Sequence, residues 1–222
     1  MTTPVTSSVS PASTRRQLKA GTTGWTADDL EDPRIARQWE RGRYEIVEGV
    51  LTLMPPAYYD GSVPVGRVER FVYRYLEENK KDGVFTHEVD FIVGRLRVAK
   101  ADAILMTRED ERRQREAHAR RIQGGARSRP RLRFGRLLVP PTLVIESLSP
   151  GHEEHDQETK RQWYTEAGVP NYWLLDAYRQ SLDCLVLDGG AYRIDQAGRG
   201  KDVVRPSLFP GLAILLAEVW DD

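Results

Sequence analysis

Cysteine is nearly absent from this chain. Cys184 stands alone among 222 residues, so no intrachain disulfide can form and the core must hold the fold. A chain of this length buries roughly 70% of the surface its unfolded form exposes, which is enough for that purpose. The lone thiol suits a reducing compartment, and a cytoplasmic location is expected. Long apolar runs are missing too. No stretch approaches the ~20 residues of a membrane helix, so no membrane partner is expected, and the opening MTTPVTSSVSPAST lacks the apolar core of a secretory signal. Neither sign of charge is in excess: Lys plus Arg is 33 and Asp plus Glu is 33. That excludes a globally basic nucleic-acid binder and leaves a local basic surface open. No phosphate-binding loop, dinucleotide-binding glycine motif or nucleophile elbow occurs, so nucleotide cofactors and serine-hydrolase chemistry have no support.

What is present is an alternation of short apolar strands and amphipathic helices. Residues 1–24 are rich in Ser, Thr, Pro and Gly, carry Arg15, Arg16 and Lys19 without an acid, and read as a disordered tail. Residues 25–222 read as one domain. In it, Tyr44–Met54 reads as two strands around Glu48-Gly49, and Ser62–Lys81 as a helix with Val65, Val68, Phe71, Val72, Tyr75 and Leu76 on one face. Val84–Val93 and Leu96–Met106 suggest a hairpin around Gly94-Arg95. Thr142–Leu148 (TLVIESL) and Asn171–Asp176 (NYWLLD) read as buried strands, with a helix over Glu153–Ala167 between them. A last hairpin surrounds Asp188-Gly189-Gly190. The order predicts a mixed α/β layer fold without the repetition of a Rossmann sheet.

One segment breaks the pattern. Thr107–Arg136 holds eleven arginines against four acids and few apolar residues. It reads as an insertion between core strands. A solvated, partly helical or disordered loop is one interpretation. A phosphate-contacting arm, with Arg127, Arg129, Arg131 and Arg133 as candidate nucleic-acid contacts, is the other; each phosphate so engaged releases counterions.

The chemistry-bearing residues are few. Glu146 is an acid inside an apolar strand, where burying a carboxylate costs several kcal/mol unless something compensates. A metal at the sheet's rim, a buried base or a structural ion pair would each do so. Lys160, Trp163, Tyr164 and Ala167 share one helical face. The lysine stem either snorkels past the aromatic stripe or carries its ammonium into a carboxylate cluster, to which Asp156, one turn earlier, can belong. Asp102 begins the apolar run after RVAKA, and alternation from Val98 and Lys100 predicts that it shares their face. Two acids from neighbouring strands make a hard-oxygen site suited to Mg2+ or Mn2+, beside which a lysine can orient or deprotonate water. His152 and His155 are read as solvated, Cys184 as core, and Asp176 as the acid of a turn.

The stretches RYEIVEGVLTLMPP, ADAIL, PPTLVIESLSPGHEEHDQETKRQWYTEAGVPNYWLLD and SLFPGL resemble the Uma-type family of bacterial restriction endonucleases, within the PD-(D/E)xK nuclease superfamily. The resemblance runs from about Tyr44 to Val219, interrupted by the arginine-rich segment. It implies a restriction-endonuclease-like core, a mixed central sheet flanked by helices, and a divalent-metal site that cuts DNA. On matching positions Asp102 stands for the first acid and Glu146 for the second, with the backbone carbonyl of Ser147 as a further metal ligand. The superfamily's lysine position, two residues after the second acid, is Leu148 here, and Lys160 on the next helix takes its place. Glu45 matches a family acid near the site, with Glu48 less favoured. The proline usual before the first acid is Ala101. The resemblance implies DNA as substrate and allows a homodimer that cuts both strands. A nuclease-fold module that binds DNA or protein without cutting is the alternative.

Overall fold

The computed structural model describes residues 17–55, 59–124, 135–148 and 156–220. A 3-10 turn, Ala27–Glu31, leads into α1 (Pro33–Trp39), which Asp32 caps through the Arg34 N–H. The hairpin β1 (Tyr44–Val47) and β2 (Val50–Leu53) turns at Glu48-Gly49, both with positive φ, the geometry of a tight hairpin turn. Helix α2 (Tyr59–Glu78) follows, then the long hairpin β3 (Val84–Gly94) and β4 (Arg97–Met106). The helix is already formed at Tyr59, so Ser62 lies inside it and does not cap it. Helix α3 (Arg108–Gln123) leads toward β5 (Leu143–Leu148). A single wide π-type turn, Asp156–Lys160, opens into α4 (Arg161–Ala167), which Gly168 stops at φ 75°. Strands β6 (Asn171–Asp176), β7 (Ser181–Asp188) and β8 (Ala191–Arg199) complete the sheet; β9 (Val203–Val204), β10 (Ile214–Leu215) and α5 (Leu216–Trp220) close the described chain.

The sheet runs β2-β1-β4-β5-β6-β7-β8, with β3 also on β4. All pairings in it are antiparallel except β5 with β6. Both faces are covered, as the apolar β5 and β6 require. One face packs Val68, Phe71, Val72 and Leu76 of α2 and Leu216 and Val219 of α5 against Leu105, Leu143 and Ile145. The other packs Trp163 and Tyr164 of α4 against Phe91, Ile104, Val144 and Tyr172. A third cluster, Trp25, Leu30, Ile35, Trp39, Ile46 and Leu51, fixes the N-terminal elements on β1 and β2. Among the described residues, no helix is long and apolar enough to cross a membrane.

Three sequence expectations change. Residues 17–24, assigned by composition to the tail, are tied to β2: Gly21 N–H donates to the Leu51 carbonyl, and Leu51 N–H to that of Thr22. Backbone pairing, to which composition is blind, holds them. The arginine-rich segment begins as a docked helix. Asp110 and Gln114 are buried; Asp110 accepts from the Thr142 N–H and hydroxyl, and Gln114 bridges the Arg136 carbonyl and the Leu138 N–H. Polar anchors replace the apolar stripe that hydropathy looks for. Finally, alternation along β4 slips at Asp102. Ala99 and Ala101 join the α4-side cluster, yet Ala103 and Leu105 join the α2 side, and Ile104 the α4 side. Opposite Asp102 is Glu88, whose φ of 48° interrupts regular strand geometry between the pairs His87–Ala103 and Val89–Ala101.

Candidate active site

Strand β3 occupies one edge of β4 along its length. The other edge is shared by β1, paired at Ile46–Val98, and β5, paired from Ala103–Ile145 to Leu105–Leu143. Between them the sheet forks, and backbone groups in the fork need other partners. Acidic side chains supply them. Glu45 Oε1 accepts the Lys100 N–H at 2.8 Å, and Asp102 Oδ2 accepts the Ser147 N–H at 2.9 Å. The fork therefore holds one carboxylate from β1 and one from β4, with Glu146 on β5 beside them.

Lys160, at the junction of the wide turn and α4, reaches into this fork. Its Nζ lies 3.2 Å from Glu146 Oε2 and 3.4 Å from Glu45 Oε1. The three residues are 5%, 4% and 3% exposed respectively. Tyr164, one helical turn after Lys160, donates its hydroxyl to Glu146 Oε1 at 2.6 Å. Both oxygens of Glu146 are thus engaged by α4-side groups. Asp102 is more open: its side chain is 28% exposed, and Arg43 Nη2 lies 3.8 Å from its Oδ1.

The electrostatics follow from burial. Desolvation pushes Glu146 up to about 8; the Lys160 charge and the Tyr164 hydrogen bond pull it down, while the charges of Asp102 and Glu45 push it further up. The Asp102 contribution places that acid within electrostatic reach of Glu146. Burial, reinforced by the Glu146 charge, drives the Tyr164 phenol well above its usual value, so it remains a hydrogen-bond donor. Buried ion pairs add little to stability, and a strongly perturbed acid in a cluster is the common mark of a functional site.

The sequence candidates separate clearly by location. Glu45, Glu146 and Lys160 are in direct contact, and Asp102 and Ser147 join them through one hydrogen bond. Glu48 is turned away and pairs with Arg97 at 2.6 Å. Asp176 accepts from the Arg179 N–H within its turn at 2.8 Å. Cys184 is buried in the core, and His87 pairs with Glu69 at 2.7 Å. The side chain of Asp156, the residues His152 and His155, and the four arginines Arg127, Arg129, Arg131 and Arg133 lie outside the described residues. Sequence reasoning placed Tyr164 on the inward stripe but missed its bond to Glu146. It also missed Arg43, whose only signal was its position two residues before Glu45.

The oxygen donors at the fork suit Mg2+ or Mn2+. Such ions are held by one or two carboxylates and keep part of their water shell for a phosphate to displace. Asp102 has one oxygen committed to Ser147 N–H and Oδ1 without a hydrogen bond among the described residues, while the Ser147 carbonyl adjoins Glu146 in sequence. Among the described residues no group of three or more His, Cys, Asp or Glu is arranged to hold a metal ion by itself, so an ion here would draw its remaining ligands from backbone carbonyl, water and phosphate oxygens.

A family model, Uma2, described as "Putative restriction endonuclease", matches residues 33–217. No curated protein matches the chain. Among solved structures, the chain resembles one from Anabaena variabilis ATCC 29413, described as a "putative nuclease belonging to DUF820". The TM-score is 0.58 at 15% identity, covering 80% of this chain and 89% of that one. At that identity the likeness is one of fold, and it gives the mixed sheet with flanking helices its restriction-endonuclease-like type.

Proposed function

This chain belongs to the Uma2 family, and from that premise we propose that it is a divalent-metal-dependent endonuclease hydrolysing DNA phosphodiester bonds. The observation that carries the proposal is the buried Lys160 ammonium, 3.2 Å from Glu146 and 3.4 Å from Glu45, at the fork that also holds Asp102. A scaffold gains nothing from such a cluster, because replacing a buried ion pair by apolar residues is often neutral or stabilising.

Asp102, Glu146 and the Ser147 carbonyl are the groups that would hold Mg2+ or Mn2+. The ion, when bound, supplies positive charge against the phosphate oxygens and lowers the pKa of water. The chain's own residues do the rest. Lys160 donates from Nζ toward the attacking water and the phosphate, orienting the nucleophile and countering charge that develops on phosphorus-bound oxygen. Glu45 is the second carboxylate that holds that ammonium, and the Lys100 N–H fixes Glu45 in turn. Tyr164 keeps Glu146 from rotating. Burial pushes the Glu146 carboxyl up to about 8, so a cation held there at neutral pH would displace its proton.

The test is incubation of supercoiled plasmid with purified full-length protein in Mn2+, Mg2+ or EDTA, beside Glu146→Ala. Nicked and linear product is expected with metal and wild type alone. Intact plasmid in every lane contradicts the proposal and leaves a non-cutting binding module.

A further inference from the structure

Arg43 sits just before β1, at the open side of the fork, and its partners do not satisfy it. Nη1 lies 3.0 Å from Glu88 Oε1 and Nη2 3.8 Å from Asp102 Oδ1. Yet Nε and Nη1 are both buried without a hydrogen-bond partner among the described residues. The contact with Glu88 is therefore charge proximity without hydrogen-bond alignment, and that with Asp102 is too long for one. A guanidinium offers five donors in a planar fork that matches the oxygens of a phosphate. Leaving buried donors unmatched is costly. The side chain is 22% exposed and the Glu88 side chain 48% exposed, so the arrangement opens to solvent on this side.

Glu88 lies opposite Asp102 in the β3–β4 register, between the pairs His87–Ala103 and Val89–Ala101. Its φ is 48°, and its carboxylate lies 3.0 Å from Arg43 Nη1. The result is a cation held loosely between two acids, at the mouth of a cluster whose other cation, Lys160, is buried. We propose that Arg43 is the phosphate-binding residue of this site: its guanidinium takes a non-bridging oxygen of the nucleic-acid phosphate brought to Asp102, exchanging acids it does not hydrogen-bond for an anion that fits its fork. The proposal rests on the nuclease reading for its substrate class. It adds that Glu88 competes with the phosphate for the same guanidinium.

The experiment measures binding of a short fluorescent DNA duplex in EDTA, by anisotropy across a salt series, for full-length wild type, Arg43→Met and Glu88→Gln. Mn2+-dependent nicking is run in parallel, and thermal unfolding reports folding. One lost phosphate contact makes the slope of log K against log salt shallower by about 0.9, which a purely structural role does not do. For Arg43→Met we expect that change and an affinity loss on the order of tenfold; for Glu88→Gln, tighter binding. An Arg43→Met slope equal to wild type overturns the assignment, as does a wild type that does not bind duplex. A wild type that binds but never nicks, with the slope change intact, sinks the nuclease reading and supports the phosphate assignment. If Arg43→Met does not fold, Glu88→Gln decides: tighter binding supports the proposal, and unchanged affinity overturns it.

Discussion

At the scale of residues, Lys160 is the pivot of the site, because one ammonium serves two buried carboxylates. Lys160→Met should reduce metal-dependent cleavage by roughly 10²–10⁴-fold, the range of a positioned proton-transfer group, read from initial nicking rates. It should also cost stability, since removing one partner of a buried pair costs about 3–5 kcal/mol. Part of that cost is avoidable. Glu146 is held near 8, so it neutralises by protonation when the ammonium is gone. The loss in Lys160→Met should therefore be smaller at pH 6 than at pH 9, by chemical unfolding in EDTA; an equal loss at both contradicts this. Tyr164→Phe removes a bond that pulls the Glu146 pKa down, so the Glu146 titration should move upward, as read by carboxyl carbon NMR of metal-free protein. The sequence shows an acid in an apolar strand and a lysine on an aromatic stripe. It does not show which tyrosine hydroxyl finds the acid, because Tyr164 at its helical position reads equally well as core.

At the scale of elements, α3 is the least expected feature. Its residues are too polar for an apolar face, and it docks through Asp110 and Gln114. Burial opposes ionisation of Asp110, but hydrogen bonds from Thr142, Thr107 and Arg113 outweigh it and hold the carboxyl below its ordinary 3.8. The sign follows from linkage. A depressed acid contributes stability above its unfolded pKa, lost as pH falls through the folded value. Wild type should lose stability below about pH 4, and Asp110→Asn should be less stable at pH 7 with a flatter acid limb. Chemical unfolding at pH 3, 5 and 7 reads both; parallel curves contradict the anchoring role. The helical arginines are largely engaged at home: Arg112 with Glu109 and Glu116, Arg113 with Asp110, Arg115 with Glu111, and Arg121 with Asp28 and Glu31. Counting charges along the chain shows an excess but not these pairings. Strand periods were legible for β5 and β6, whose apolar runs are local. The slip in β4 was not, because it depends on Glu88 across the hairpin.

At the scale of the molecule, the sheet's branching makes the site. Strand β4 exchanges one neighbour for another, and the gap collects an acid from β1, one from β4 and one from β5 while the turn before α4 delivers the Lys160 ammonium. The order of strands and helices could be read from the sequence, and with it the mixed-sheet class. A fork could not, because it arises from pairings between segments roughly forty to fifty residues apart. If the fork holds the proposed ion, the raised Glu146 carboxyl would give up its proton when the ion binds at neutral pH. Calorimetric titration of Mn2+ at pH 7, in two buffers of different ionisation enthalpy, should show proton release, and Glu146→Gln should abolish it. The most direct test of the central claim is the anomalous X-ray signal from crystals grown with Mn2+. The account predicts an ion at the fork, in contact with Asp102 and Glu146 and beside Lys160. A well-ordered fork without manganese, while the protein still cuts DNA with that metal, would contradict it.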